Sequence, residues 1–144
     1  MNNISEHVRF NEAIHSQTAE RKGIDNTPSP EVLERMIETA ENIYEPIVNH
    51  FGIEPYISSF FRCLLLNRIV GSKDTSQHPL GEAIDIDCDV YGGITNEELA
   101  RWVIANLEFD QIIREGMRAD GTGGWIHISF RKGRNRKQVL KINF

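Results

Sequence analysis

Two short stretches of this chain carry the two-residue period of a β-strand, and each confines its chemistry to one face. In Ala83-Ile84-Asp85-Ile86-Asp87-Cys88 isoleucines alternate with acids, so Ile84 and Ile86 point one way and Asp85 and Asp87 the other. In Trp125-Ile126-His127-Ile128-Ser129 the same period groups Trp125, His127 and Ser129 opposite Ile126 and Ile128. Both isoleucine faces need a core to cover them. If the strands are neighbours, Asp85 and His127 point into one cleft. His78 then enters it from Ser76-Gln77-His78-Pro79-Leu80-Gly81, the loop leading into the first strand. Two imidazoles and a carboxylate are the ligand set of an open zinc site, with the fourth position left for water. Strands and one tight loop also supply the rigidity such a site needs. The other histidines, His7, His15 and His50, lie in polar or helical contexts with no partner pattern.

The remaining periodicities predict the body around these strands. Ser29-Pro30-Glu31 is a helix start, with a capping hydroxyl followed by proline at the first helical position. Leu33, Met36, Ile37, Ala40, Tyr44, Ile47, Val48 and Phe51 recur at helical spacing up to Gly52, predicting one core-facing helix. Residues 1–27 read as an N-terminal arm with one short helix near 11–20, and 28–144 as the domain proper. A short strand at 55–59 and a buried helix at 63–70 precede the ligand loop. Thr95-Asn96-Glu97-Glu98 is a capping box opening a helix that carries Leu99, Trp102, Val103 and Leu107. Strands are then expected at 109–115, 125–131 and 139–143. Helices early and strands late predict an α+β domain, its sheet mainly antiparallel with helices packed on one side.

Composition excludes several classes of function. A chain of 144 residues fits one domain. Its net charge of -5 gives no overall attraction to nucleic acid or to an anionic membrane. No apolar run is long enough for a transmembrane helix, and the N-terminus lacks the basic and apolar regions of a secretory signal. Synthesis in the cytoplasm is therefore expected. Cys63 and Cys88 are too few for a disulfide framework and read as reduced thiols. The run Arg131-Lys132-Gly133-Arg134-Asn135-Arg136-Lys137 reads as a solvated turn or as a docking patch for anionic wall polymer. Without interleaved aromatics it does not predict nucleic-acid binding.

The two motifs together, Ser76-x-His78-x-x-Gly81-x-Ala83-x-Asp85-Ile86 and Trp125-x-His127, resemble the zinc D-Ala-D-Ala carboxypeptidase family. That family includes phage endolysins and shares its fold with the hedgehog signalling domain. Ile57-Ser58-Ser59-Phe60-Phe61-Arg62, followed by Leu66-Asn67 and Val70-Gly71, is similar to the family's strand, arginine and short helix. The resemblance spans roughly residues 31–130, and the arm at 1–27 is similar to that of phage-borne members. It implies a hedgehog/DD-peptidase-like fold, with His78, Asp85 and His127 as ligands of Zn2+. It also implies hydrolysis of peptide bonds in peptidoglycan stems, as a carboxypeptidase or an endopeptidase. Arg62 matches the family's oxyanion- or carbonyl-binding arginine, and Ser76 its substrate- or loop-bonding serine. The implied setting is the cell wall after release from the cell, or a virion, with a monomer expected outside a phage particle.

One position departs from the pattern. A carboxylate is expected three residues before the last histidine, where this chain has Gly124. Glu115 is the first candidate to replace it, ending a strand expected to pair with 125–130. Asp120, in the loop that follows, is the second. Asp87 is a candidate to orient a histidine from the same face as Asp85. Against these stand plainer readings: a strand-end surface acid for Glu115, a surface salt bridge for Arg62. The departure at Gly124 also keeps open a non-catalytic virion or wall-binding component on the same fold.

Overall fold

The structure, a computed structural model, describes residues 2–144. Its centre is a five-stranded sheet in the order β1-β2-β4-β3-β5, comprising β1 (Tyr56–Ser59), β2 (Ala83–Asp87), β3 (Gln111–Glu115), β4 (Trp125–Ser129) and β5 (Gln138–Ile142). The β1–β2, β2–β4 and β3–β4 pairings are antiparallel. Six α-helices accompany it: α1 (Phe10–Ile14), α2 (Gln17–Lys22), α3 (Pro30–Thr39), α4 (Glu45–Phe51), α5 (Leu64–Ile69) and α6 (Asn96–Asn106). The architecture is the α+β one that the periodicities predict.

Ile84 and Ile86 of β2, Ile126 and Ile128 of β4 and Ile112 of β3 are all buried. They form one apolar cluster with Met36 of α3, Ile43 and Ile47 beyond it, and Leu99 and Val103 of α6. Removing each such side chain from water is worth about 1.5–3 kcal/mol, so this face determines which way the sheet faces. The helices start as their caps require. Ser29 Oγ accepts from Val32 N, and Thr95 with Glu98 forms the reciprocal capping box.

Three elements differ from the expectation. The segment 30–51 is helical throughout but contains a π-helical turn at Ala40–Tyr44. Pro46 lies just beyond that turn and has no N–H to return to the preceding turn. The arm holds two short helices instead of one, because Ser16 is extended and its hydroxyl caps α2 by accepting from Ala19 N at 3.1 Å. Finally, β5 runs parallel to β3 on its outer edge. The segment after β4 wraps around the start of β3, where Arg136 Nε and Nη2 each donate to Asp110, both at 2.9 Å. That guanidinium draws the Asp110 carboxyl down to about 2.

Four of the five basic residues in the run face acids. Arg131 faces Glu82, Lys132 faces Glu38 and Lys137 faces Glu108, alongside the Arg136–Asp110 pair. Of these, the Arg136 pair is anchored on a fully buried carboxylate, whereas the lysine pairs lie exposed on the surface. Cys88 is buried, which pushes its thiol up to about 12, and neither cysteine is in a disulfide. No described helix is long and apolar enough to cross a membrane.

Residues 2–27 pack onto the rest of the chain through buried Ile4, Val8 and Ala13, through Asn26, which donates to Phe61 O and accepts from Cys63 N, and through a polar clip at Glu45. Glu45 accepts from Ser5 Oγ at 2.6 Å and from His7 N at 2.9 Å, and it meets His7 Nδ1 at 2.6 Å. The Glu45 hydrogen bond raises the His7 pKa above its ordinary 6.5. Burial works against ionisation of Glu45, but the Ser5 and His7 bonds outweigh it and lower the carboxyl from 4.5. The raised His7 contributes stability that is full below pH 6.5 and lost as pH climbs through its folded value. The lowered Glu45 contributes stability that is present above pH 4.5 and lost as pH falls through its folded value. The clip is thus strongest between these limits. Hydrogen-exchange protection of the Ile4 amide, which donates to Val8 O, is expected to hold below pH 6.5 and to decline as pH rises above it, after correction for intrinsic exchange. In His7→Ala the decline should vanish; a profile equally flat in the native chain refutes the clip.

Candidate metal centre

The antiparallel register places Asp85 directly across from His127. Because Ile84 and Ile86 are committed to the core, both polar side chains project from the opposite face of the sheet. His78 arrives from a 3-10 turn, His78–Leu80, that closes on Gly81 in the left-handed conformation. A Cβ at Gly81 would stand 2.7 Å from the Val32 carbonyl oxygen and 2.8 Å from Met36 Cγ. The loop therefore lies against α3 at a distance only glycine permits. Arg35 Nε donates to Leu80 O at 2.6 Å and Thr39 Oγ1 to Gly81 O at 3.0 Å, so α3 grips the turn from beneath.

All three side chains are buried, and ligand-capable atoms from each lie within 4.8 Å of one another. His78 Nε2 is 3.2 Å from Asp85 Oδ2, and His127 Nδ1 is 3.0 Å from Asp85 Oδ1. His78 Nδ1 sits 2.6 Å from the Phe60 carbonyl oxygen. A carbonyl can only accept, so Nδ1 carries the proton and Nε2 is left to face the cluster. Burial alone would raise the Asp85 carboxyl. With no ion bound and His78 protonated at both nitrogens, its charge and the hydrogen bonds from the two imidazoles override burial and hold the group well below the usual carboxylate range. The donor set fits zinc in residue type, and the two His–Asp spacings of 3.2 and 3.0 Å are close to the roughly 3.3 Å between ligand atoms around a tetrahedral ion at 2.0–2.1 Å.

The group opens into a cleft of about 890 Å³. Arg62 lines it, donating from Nε to Asn67 Oδ1, from Nη1 to Ser59 Oγ and from Nη2 to Ser72 Oγ. Every one of these partners is neutral. Burial lowers the Arg62 pKa and the Asp85 and Glu115 charges oppose that shift, as suits a cation held for an anionic or carbonyl partner in the cleft. Ser76 also lines the cleft, its hydroxyl accepting from the His78 amide at 3.3 Å.

Glu115 pairs with Trp125 across β3 and β4, two residues along from the Ile113–His127 pair. It shares the cleft face and is half-buried, with Oε2 accepting from Trp125 Nε1 at 2.6 Å. Burial raises its carboxyl, the Asp85 charge adds to that, and His127, Trp125 and His78 oppose it. Asp120 lies elsewhere: exposed, it accepts from Thr122 N and Oγ1 and borders a separate groove with Glu97 and Arg118. Asp87 is engaged elsewhere: its Oδ1 accepts from Asp89 N and Asn96 Nδ2 and braces the turn into α6.

Gly124 has a physical reason to be glycine. Its φ is +62°, and a Cβ there would collide with the Glu115 carbonyl oxygen, with the Gly116 carbonyl carbon and Met117 N each at 2.7 Å. No side chain of any kind fits. Two participants left no mark in the sequence pattern: the Phe60 carbonyl, which has no side-chain signature, and Trp125 as the partner of Glu115. The strand expectations did predict that Glu115 and Trp125 share a hairpin.

A mainly antiparallel sheet thus carries, in a cleft, a buried His–Asp–His group of the kind that can hold a metal ion. The model of the family described as Peptidase M15 matches residues 6–129, and the chain belongs to that family of metallopeptidases. Among curated proteins, none matches the chain.

Gly124→Ala is expected to destabilise the protein by about 2–4 kcal/mol, through the left-handed φ and the backbone collision together. Chemical denaturation measures it. Gly124→Glu should be at least as damaging, so a folded Gly124→Glu protein of native stability would contradict the geometry.

Proposed function

We propose that the chain is a zinc peptidase that hydrolyses peptide bonds in the stems of bacterial peptidoglycan, as a D-Ala-D-Ala carboxypeptidase or an endopeptidase. The observation that carries the reading is the position of Glu115. A half-buried carboxylate, its basicity raised by burial, lies on the cleft face beside the strand position of His127. It stands in for the carboxylate that Gly124 cannot carry. On this reading His78, Asp85 and His127 hold the ion, which when bound acidifies a water molecule and polarises a peptide carbonyl.

The remaining steps belong to the chain's own residues. Glu115 takes the proton from the attacking water and delivers it to the leaving amine. Its Oε2 is occupied by the Trp125 indole, which leaves Oε1 for the transfer. Raised basicity favours this role, because proton transfer is most efficient when the group's pKa approaches the working pH. Arg62 receives the charge that develops on the carbonyl oxygen, from a guanidinium already desolvated and hydrogen-bonded into place. Ser76 stiffens the ligand loop and offers its hydroxyl to the substrate backbone. The substrate is a peptide, and its place of action is the cell wall.

Two measurements test this. Elemental analysis of the purified protein should find about one zinc per chain, lost in His127→Ala; a native chain that takes up no zinc defeats the reading. With purified peptidoglycan as substrate, Glu115→Gln should keep its zinc while kcat falls roughly 100- to 10,000-fold. Undiminished hydrolysis by that variant rejects Glu115 as the base. Zinc uptake without hydrolysis in the native chain would favour a wall-binding component instead.

A further inference from the structure

We propose that Gln77, Asp110 and Arg136 form a positioning clamp that holds the His78 turn in ligating geometry. Gln77 immediately precedes His78, and its own carbonyl oxygen accepts from Leu80 N at 3.2 Å and Glu82 N at 3.1 Å. It therefore sets the entry of the turn. Its side-chain Nε2 donates to Asp110 Oδ2 at 2.9 Å, across 33 residues of chain. Asp110 has no exposed surface and is in turn held by Arg136, whose backbone N, Nε and Nη2 all donate to its carboxylate. The Asp110 amide donates to Ser129 O at 2.8 Å, on the strand that carries His127. One buried carboxylate thus connects the turn bearing His78 with the strand bearing His127. The third member lies in residues 130–144, beyond the segment 6–129 that the family model covers.

A second observation separates this from ordinary packing. Gln77 is nine-tenths buried, yet its Oε1 has no hydrogen-bond partner. Rotating the amide would not help, because Oε1 would then face the Asp110 carboxylate. A buried acceptor left without a donor is destabilising, and an apolar side chain of the same length would avoid the penalty. The Arg136–Asp110 pair needs no glutamine to satisfy it, since the guanidinium already reaches both carboxylate oxygens. What Gln77 adds is a tether on the residue next to His78. Groups bonded directly to a metal ligand orient it, and removing them weakens metal binding about 10- to 100-fold; a tether on the residue next to the ligand acts at the lower end of that range.

The clamp rests on the zinc reading above, and one set of measurements tests both separately. Zinc affinity is read by competition with a chromophoric chelator, and thermal stability is read on the metal-free 144-residue chain. Gln77→Met is expected to raise the zinc Kd about tenfold while the metal-free Tm stays level or rises. A residue serving packing alone would lower both together. Asp110→Asn should weaken zinc similarly, and Arg134→Met, a change to an exposed residue of the same turn, should alter neither quantity. Zinc affinity within twofold of native in Gln77→Met overturns the clamp and leaves the zinc reading standing. So does a parallel loss of Tm and affinity, which assigns Gln77 to the fold alone. If Asp110→Asn fails to fold, Gln77→Met decides by itself. A native chain that binds no zinc overturns both.

Discussion

The register between β2 and β4 is the constraint from which the rest follows. Ile84 pairs with Ile128 and Ile86 with Ile126, while Asp85 faces His127. A slip of one residue would turn the isoleucines to the cleft and the ionisable groups to the core. Burial of the isoleucines therefore does two things at once. It anchors the sheet on α3 and α6, and it leaves the opposite face with no option but to present Asp85 and His127 together. The polar site is a by-product of where the apolar residues must go.

Around that pairing, Asp85 works as the electrostatic centre. A buried carboxylate between two imidazoles is stable only because both histidines compensate its lost hydration. His78 is the more demanding partner, because it comes from a loop and not from a strand. Its ring is aimed by the Phe60 carbonyl, its turn rests on α3 through Arg35 and Thr39, and its entry is tied through Gln77 to Asp110. A loop tip alone would hold an imidazole loosely; three independent attachments restrict it to one geometry.

Gly124 and Glu115 illustrate how one backbone contact redistributes side-chain chemistry. The hairpin after β3 brings the 115–117 backbone so close to residue 124 that no Cβ fits. The same hairpin delivers Glu115 onto the cleft face across from Trp125. A carboxylate lost from one strand is thus recovered on its neighbour, and the two features are a single structural fact.

The sequence by itself determined the local elements and their faces. Strand period, the Ser29 and Thr95 caps, and the residue types of the metal group are written within windows of four to eleven residues, the lengths of the elements themselves. Periodicity misled at Ala40–Tyr44, where a π-helical turn precedes Pro46, and at Ser16, which separates two short helices. It misled also at 63–70, where the helix expected to be buried exposes Leu64, Leu65, Ile69 and Val70 and buries only Leu66 and Asn67. What the tertiary structure alone decided were contacts between distant positions: Asp85 with His127 across 42 residues, Gln77 with Asp110 across 33, and Arg136 with Asp110 across 26. It also decided that β5 pairs parallel to β3, that Glu115 and not Asp120 enters the cleft, and that Asp87 braces a turn. The physical reason is the range of the forces involved. Backbone hydrogen bonding and side-chain period act between near neighbours and can be read from them. A hydrogen bond or a steric collision between remote segments exists only once the buried isoleucine face has brought those segments together.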